Sequence, residues 1–120
     1  MMTTVTEENF AQEVLASSVP VLVHFRAPWC SICRLITPIV TSVQAEWPGQ
    51  LRLFDVNADE NFKLANQYQL KTLPTLLYME KGRIIRRIEG FTSRDAFRSQ
   101  LQDLAYRHHL ESSLSSSRTA

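Results

Sequence analysis

Residues Val21–Cys33 read VLVHFRAPWCSIC, and the fold follows from how that stretch divides. Its first part, VLVHF, is a nearly unbroken apolar run introduced by Pro20. Such a run suits a central strand covered on both faces, not one with a wet side. Its last four residues are Cys-X-X-Cys, and behind them Leu35, Ile36, Ile39, Val40, Val43 and Trp47 recur at helical spacing. A buried strand therefore runs through a short loop into a helix, with two cysteines at the helix start. Helix N-termini carry N–H groups without intrahelical partners and the positive end of the macrodipole, and both favour a thiolate. Cys30, the outer sulfur, is the expected nucleophile. Cys33, one turn further in, is placed to attack a mixed disulfide and release the partner.

Working outward, Pro38 falls inside the helical pattern and predicts a kink there, and Pro48–Gly49 closes it. Leu51–Asn57 (LRLFDVN) alternates as a strand does. Asp59 is the expected cap of a third helix to about Tyr68, with Phe62, Leu64 and Ala65 on its buried side. Thr75–Met79 and Arg83–Glu89 are two strands meeting at Glu80–Lys81–Gly82, a hairpin signal, and Gly90 ends the second. Thr92 or Ser93 caps a last helix whose apolar stripe is Phe97, Leu101, Leu104 and Ala105. Toward the N-terminus, Thr4 and Thr6 ahead of Glu7 and Glu8 make a capping signal. It opens a short helix carried by Phe10, Ala11, Val14 and Leu15, ending near Ser17–Ser18. The order α, β, α, β, α, β, β, α is an α/β pattern, with a parallel part and an antiparallel hairpin in one sheet. The domain is expected to span 1–110. Residues 111–120 (ESSLSSSRTA) are Ser-rich with almost no apolar side chains, and are expected to be a disordered tail.

The chain has 120 residues, enough for one domain, and its 44% hydrophobic content supports a real core. A net charge of +1 argues against nucleic acid as a partner. The cations are ten Arg and three Lys, so the placement of Arg26 and Arg34 matters more than the total. No apolar run is long enough to cross a bilayer, and no membrane partner is expected. The opening MMTTVTEENFAQEVL lacks a basic start and carries Glu7, Glu8 and Glu13, which does not read as a secretory signal. A cytoplasmic, reducing setting is expected, where two cysteines make a poor structural staple. Redox chemistry or a metal then become the better readings. A zinc site needs four ligands as a rule, and His108–His109 could complete one only by distant folding or dimerisation. Those histidines are expected to be solvated at a helix C-terminus. Two structural cysteines at a chance spacing remain a further alternative.

VHFRAPWCSIC, Pro38, Leu73-Pro74-Thr75, and Gly82 and Gly90 at matching spacings together resemble the thioredoxin family, over about Phe10 to Leu104. The resemblance implies a thioredoxin fold: a central mixed four- to five-stranded sheet flanked by helices on both faces. It implies a protein-disulfide reductase that cycles Cys30–Cys33 between dithiol and disulfide with no further cofactor and no metal. It also implies that Pro74 is cis and faces the cysteines, with Trp29, Leu73, Pro74, Gly90 and Phe91 lining a docking surface. Partners would be proteins bearing disulfides and an upstream thioredoxin reductase, with the chain acting as a monomer. Two other functions stay open at this point. One is a thioredoxin-fold binding module or chaperone with little turnover, since a fold does not fix a function. The other is a more oxidising, disulfide-forming or isomerising protein.

The departures from the family pattern are specific. The bridge is Ser31-Ile32 where thioredoxins usually have Gly-Pro, which restores an N–H at the helix start. Ser31 could donate to the Cys30 thiolate or be a plain solvated serine. Arg26 stands where a second tryptophan is usual; it could attract the thiolate or an acidic partner, or be a surface arginine without a task. His24 and Asp55 take the places of the family's buried aspartate and its neighbouring lysine. The expectation is that His24, oriented by Asp55, relays protons for Cys33; the alternative is that it fills space and bonds a neighbour. Burial lowers a histidine pKa and a nearby carboxylate raises it, so the sequence leaves the direction open.

Overall fold

The computed structural model describes residues 2–119 other than Trp47, Pro48 and Thr92, and only the backbone of Ala105 and residues 109–119. Its centre is strand β2, Val21–Arg26, with every residue from Val21 to Phe25 buried. Two further strands follow, β3 (Arg52–Asn57) and β4 (Thr75–Glu80). β2 lies between them, parallel to β3 and antiparallel to β4. β5 (Arg83–Ile88) extends the sheet beyond β4, and a two-residue strand β1 (Thr3–Thr4) lies parallel beside β3. The order is β1-β3-β2-β4-β5. This is the mixed α/β sheet expected, at the upper end of the expected four to five strands.

Alternation along β2 sends its side chains into two separate cores. Leu22 packs with Ile36, Val40 and Val43 of helix α1 (Ser31–Glu46) and with Phe97, Leu101 and Leu104 of helix α3 (Arg94–Thr119). Val21, Val23 and Phe25 pack on the other face with Phe10 and Val14 beside a π-helical turn, Ala11–Leu15, and with Leu64 of helix α2 (Phe62–Gln67). Each fully buried Phe, Leu or Val side chain contributes about 1.5–3 kcal/mol, which is why an unbroken apolar run belongs in the middle of the sheet. The β4–β5 hairpin turns at Lys81 (φ 52°) and Gly82 (φ 78°), a left-handed pair whose twist suits a two-residue connection.

Several local readings are corrected. Thr4 does not start a helix: it lies in β1, and its hydroxyl donates to Asp55 Oδ1. Asp59 does not cap α2. It sits in a 3₁₀ turn, Ala58–Glu60, opened by Asn57, whose side-chain oxygen accepts from the Asp59 N–H. Two N–H groups in the first turn of α2, those of Lys63 and Leu64, donate instead to Glu7 Oε2. That cap comes from 56 residues away, beyond the reach of a local capping rule. Ser93 does cap α3, accepting from the Ala96 N–H at 3.0 Å, while Thr92, like Trp47 and Pro48, lies outside the described residues. The backbone of α3 is helical to Thr119, and no glycine or proline interrupts it. His108 is not at a free helix end; its ring lies 4.5 Å from that of Tyr78, with Nδ1 3.6 Å from Glu80 Oε2. Among the described residues, no helix is long and apolar enough to cross a membrane.

Candidate active site

β2 ends at Arg26, and Ala27–Cys30 form the loop into α1. The loop is closed from within: the Cys30 N–H donates to Ala27 O at 3.1 Å, and Arg34 Nη1 donates to Pro28 O at 2.6 Å. Arg34 therefore braces the loop backbone. Cys30 and Cys33 are joined as a disulfide with Cα atoms 5.3 Å apart. Cys33 is sealed at 1% exposure, whereas Cys30 keeps 5%. The Cys33 N–H donates to Cys30 Sγ at 3.2 Å. A helix-start N–H thus points at the outer sulfur, the placement that stabilises negative charge there when the disulfide opens. Ser31 is exposed, and the hydrogen bond that reaches Cys30 Sγ comes from the backbone of Cys33.

Around the disulfide, Ala27 completes a small buried cluster, with Leu73 packed against it. Leu73 precedes Pro74 through a cis peptide bond, and Pro74 is buried. Trp29 projects at 67% exposure, its indole N–H donating to Asp59 Oδ2 at 2.8 Å. Ile32 (47%) and Leu35 (52%) are exposed on the first turns of α1. Gly90 has φ 66°, a turn conformation open to glycine. Phe91 packs beside Phe97, ring centroids 4.8 Å apart, against the α1/α3 core and not in the disulfide cluster. One brace was not foreseen. Arg87 of β5 donates to Tyr68 O at 2.6 Å and Gln69 O at 2.9 Å, closing the C-terminal end of α2 ahead of the Leu73–Pro74 segment. No local sequence signal links Arg87 to that end.

His24, Asp55 and Arg26 share one face of the sheet, the α1 side, with His24 directly opposite Asp55 in the parallel register. No hydrogen bond joins Asp55 to His24, the ring it was expected to orient. Its Oδ1 accepts from the Thr4 hydroxyl at 2.6 Å, and its Oδ2 accepts from Arg26 Nε–H at 2.6 Å. A fixed guanidinium is a stronger donor to a carboxylate than a neutral imidazole, so the arginine wins the contact. His24 is fully buried, and neither ring nitrogen has a hydrogen bond among the described residues. Burial pushes its pKa down from 6.5 to about 4; the Asp55 carboxylate pulls it up, and the Arg26 guanidinium adds to the fall. Arg26 therefore pairs with an acid of its own chain, with its side chain 30% exposed.

A disulfide at a strand–helix junction, a cis-proline segment beside it and a five-stranded mixed sheet behind it together define a dithiol–disulfide exchange protein. The thioredoxin family profile matches residues 1–103. Thioredoxin 1 of Nostoc sp. is 42% identical over 86 residues, covering 72% of this chain and 80% of its own. The thioredoxin of Synechocystis sp. is 34% identical over 98 residues, covering 82% and 92%. The chloroplastic M-type thioredoxin of Chlamydomonas reinhardtii is 38% identical over 86 residues, covering 72% of this chain and 61% of its own length. The chain belongs to the thioredoxin family. It is a thiol–disulfide oxidoreductase, a protein-disulfide reductase whose redox centre is the Cys30–Cys33 pair.

Proposed function

We propose that Cys30 is the attacking sulfur and Cys33 the resolving one, with His24 carrying the proton for the second step. The Cys30 thiolate attacks one sulfur of a target disulfide; that bond breaks, and the leaving thiolate takes a proton. Cys33 then gives its proton to His24 and attacks Cys30 Sγ. The mixed disulfide breaks, the target leaves as its second thiol, and Cys30–Cys33 is oxidised. Two electrons from a thioredoxin reductase restore the dithiol. The observation that carries the reading is the Cys33 N–H donating to Sγ of Cys30, the less buried residue of the pair. In the reverse assignment, a sealed sulfur would have to meet a protein substrate.

Trp29, Leu73 and Pro74 form the docking surface in this reading, with Gly90 and Phe91 at its margin. Arg34 shapes the loop, and Ser31 stands at its rim. The exposed indole and the packing of Leu73 on the cysteines support that surface. Residues 1–110 form the working unit, acting as a monomer on cytoplasmic proteins that carry disulfides. The proton role of His24 is tested by reducing a disulfide peptide with pre-reduced wild type and His24→Ala across pH. A slower reaction with an altered pH profile is expected; an unchanged rate and profile would remove His24 from the mechanism.

A further inference from the structure

The contact between Arg26 and Asp55 bears on the chemistry one residue away. On the α1 side of the sheet, Leu22 packs with Ile36 and Val40. His24 lies two residues nearer the loop than Leu22 on the same face of β2, and Cys33 lies one turn nearer the loop than Ile36 on α1. Both are buried, at 0% and 1% exposure. Both residues are therefore buried where the loop end of β2 meets the start of α1. Among the described residues, the charged neighbours of the His24 ring are few. β3 supplies Asp55, and β2 supplies Arg26. β4 presents Leu76 opposite, α3 contributes the apolar Phe97, Leu101 and Leu104, and β1 reaches the group only through the Thr4 hydroxyl on Asp55.

We infer that Arg26 is a positioning residue for the reductase reaction: by holding Asp55 Oδ2 it keeps that carboxylate off His24 and leaves the imidazole an uncharged base for Cys33. The inference rests on the reading of His24 as proton carrier. A carboxylate left bare opposite the ring would accept its N–H and extend to higher pH the range in which it is imidazolium, which has no lone pair for the Cys33 proton. Arginine stays charged at every working pH, so the protection is permanent. The ion pair and the Thr4 hydroxyl occupy both Asp55 oxygens. The step they protect is balanced within the site: the proton passes from Cys33 Sγ to the imidazole, the Cys33–Cys30 bond forms as the Cys30–target bond breaks, and the imidazolium returns the proton to the leaving sulfur.

The test follows the His24 ring by NMR through a pH titration of the full-length oxidised protein. Disulfide-peptide reduction by the pre-reduced forms is measured in parallel. Arg26→Gln is expected to raise the His24 midpoint by roughly 1–3 pH units and to move the acid limb of the rate profile with it. Arg26→Lys, which keeps the charge, holds the midpoint near the wild-type value. Adding Asp55→Asn to Arg26→Gln brings it back down, because the bare carboxylate is gone. An unmoved midpoint in Arg26→Gln, or a double variant as high as the single, overturns the inference and leaves the His24 reading standing. A midpoint that rises while the rate profile stays put overturns the His24 reading and the inference with it. Where Arg26→Gln does not fold, Arg26→Trp, which restores the residue usual at this position, serves: its midpoint rises above the wild type's, and an unchanged midpoint overturns the inference.

Discussion

Replacing His24 by leucine converts a buried, unpartnered imidazole into an apolar side chain among Leu22, Ile36 and Leu76. Two effects follow, and they separate by pH. Near neutrality, the ring nitrogens lose water on folding and gain no protein partner, a cost of about 1–3 kcal/mol that leucine does not carry. In acid, a linkage effect is added. The unfolded chain takes up a proton below pH 6.5, and the folded chain does so only below about 4. The histidine is thus held neutral in the fold, and acid pulls toward the unfolded state. Stability from this group is intact above 6.5, falls between 6.5 and about 4, and levels off below. At about pH 4.5 the loss is about 2 kcal/mol, with an upper bound of about 3 kcal/mol at still lower pH. Urea melts of the oxidised wild type and His24→Leu, at about pH 7 and about pH 4.5, read this directly. His24→Leu is expected to be the more stable at both values, with the gap wider in acid by about 2 kcal/mol. Carboxylates common to both proteins cancel in the difference. A gap that does not change with pH refutes the depressed histidine pKa.

Gly82→Ala forces a left-handed residue and brings a new Cβ within 3.3 Å of Leu15 O, so a loss of about 1–2 kcal/mol in thermal or urea unfolding is expected. Ser93→Ala removes the side-chain acceptor for the Ala96 N–H and is expected to cost about 1 kcal/mol, with Ser93→Asp restoring it. Asp59→Ala releases the Trp29 indole; fluorescence is expected to change while stability falls by less than about 1 kcal/mol, the bond lying at the surface.

What was legible in the sequence was what periodicity and local chemistry fix. The apolar run of β2, the helical spacing behind Cys33 and the turn at Lys81–Gly82 placed the sheet, α1 and the hairpin, because each is decided by neighbours in the chain. β1 was missed: two residues cannot show a period, and Thr4 is placed by Asp55, 51 residues away. The cap of α2 was misread for the same reason, since Glu7 reaches it from another part of the fold. At the site, the Cys30–Cys33 pairing was legible because the motif carries its own geometry, and the cis bond at Leu73–Pro74 came from the family resemblance. The partners of Arg26 and His24 were not. Alternation puts His24, Arg26 and Asp55 on one face, but which donor the carboxylate takes depends on side-chain reach and charge, and the long guanidinium prevails over the ring directly opposite.

The roles of the two sulfurs are tested most directly by trapping. Single Cys33→Ser and Cys30→Ser forms are offered the same cell extract, washed under denaturing conditions and eluted with dithiothreitol. Cys33→Ser is expected to hold target proteins through a disulfide at Cys30, and Cys30→Ser to hold none. Equal retention by the two forms, or retention by Cys30→Ser alone, contradicts Cys30 as the sulfur that attacks.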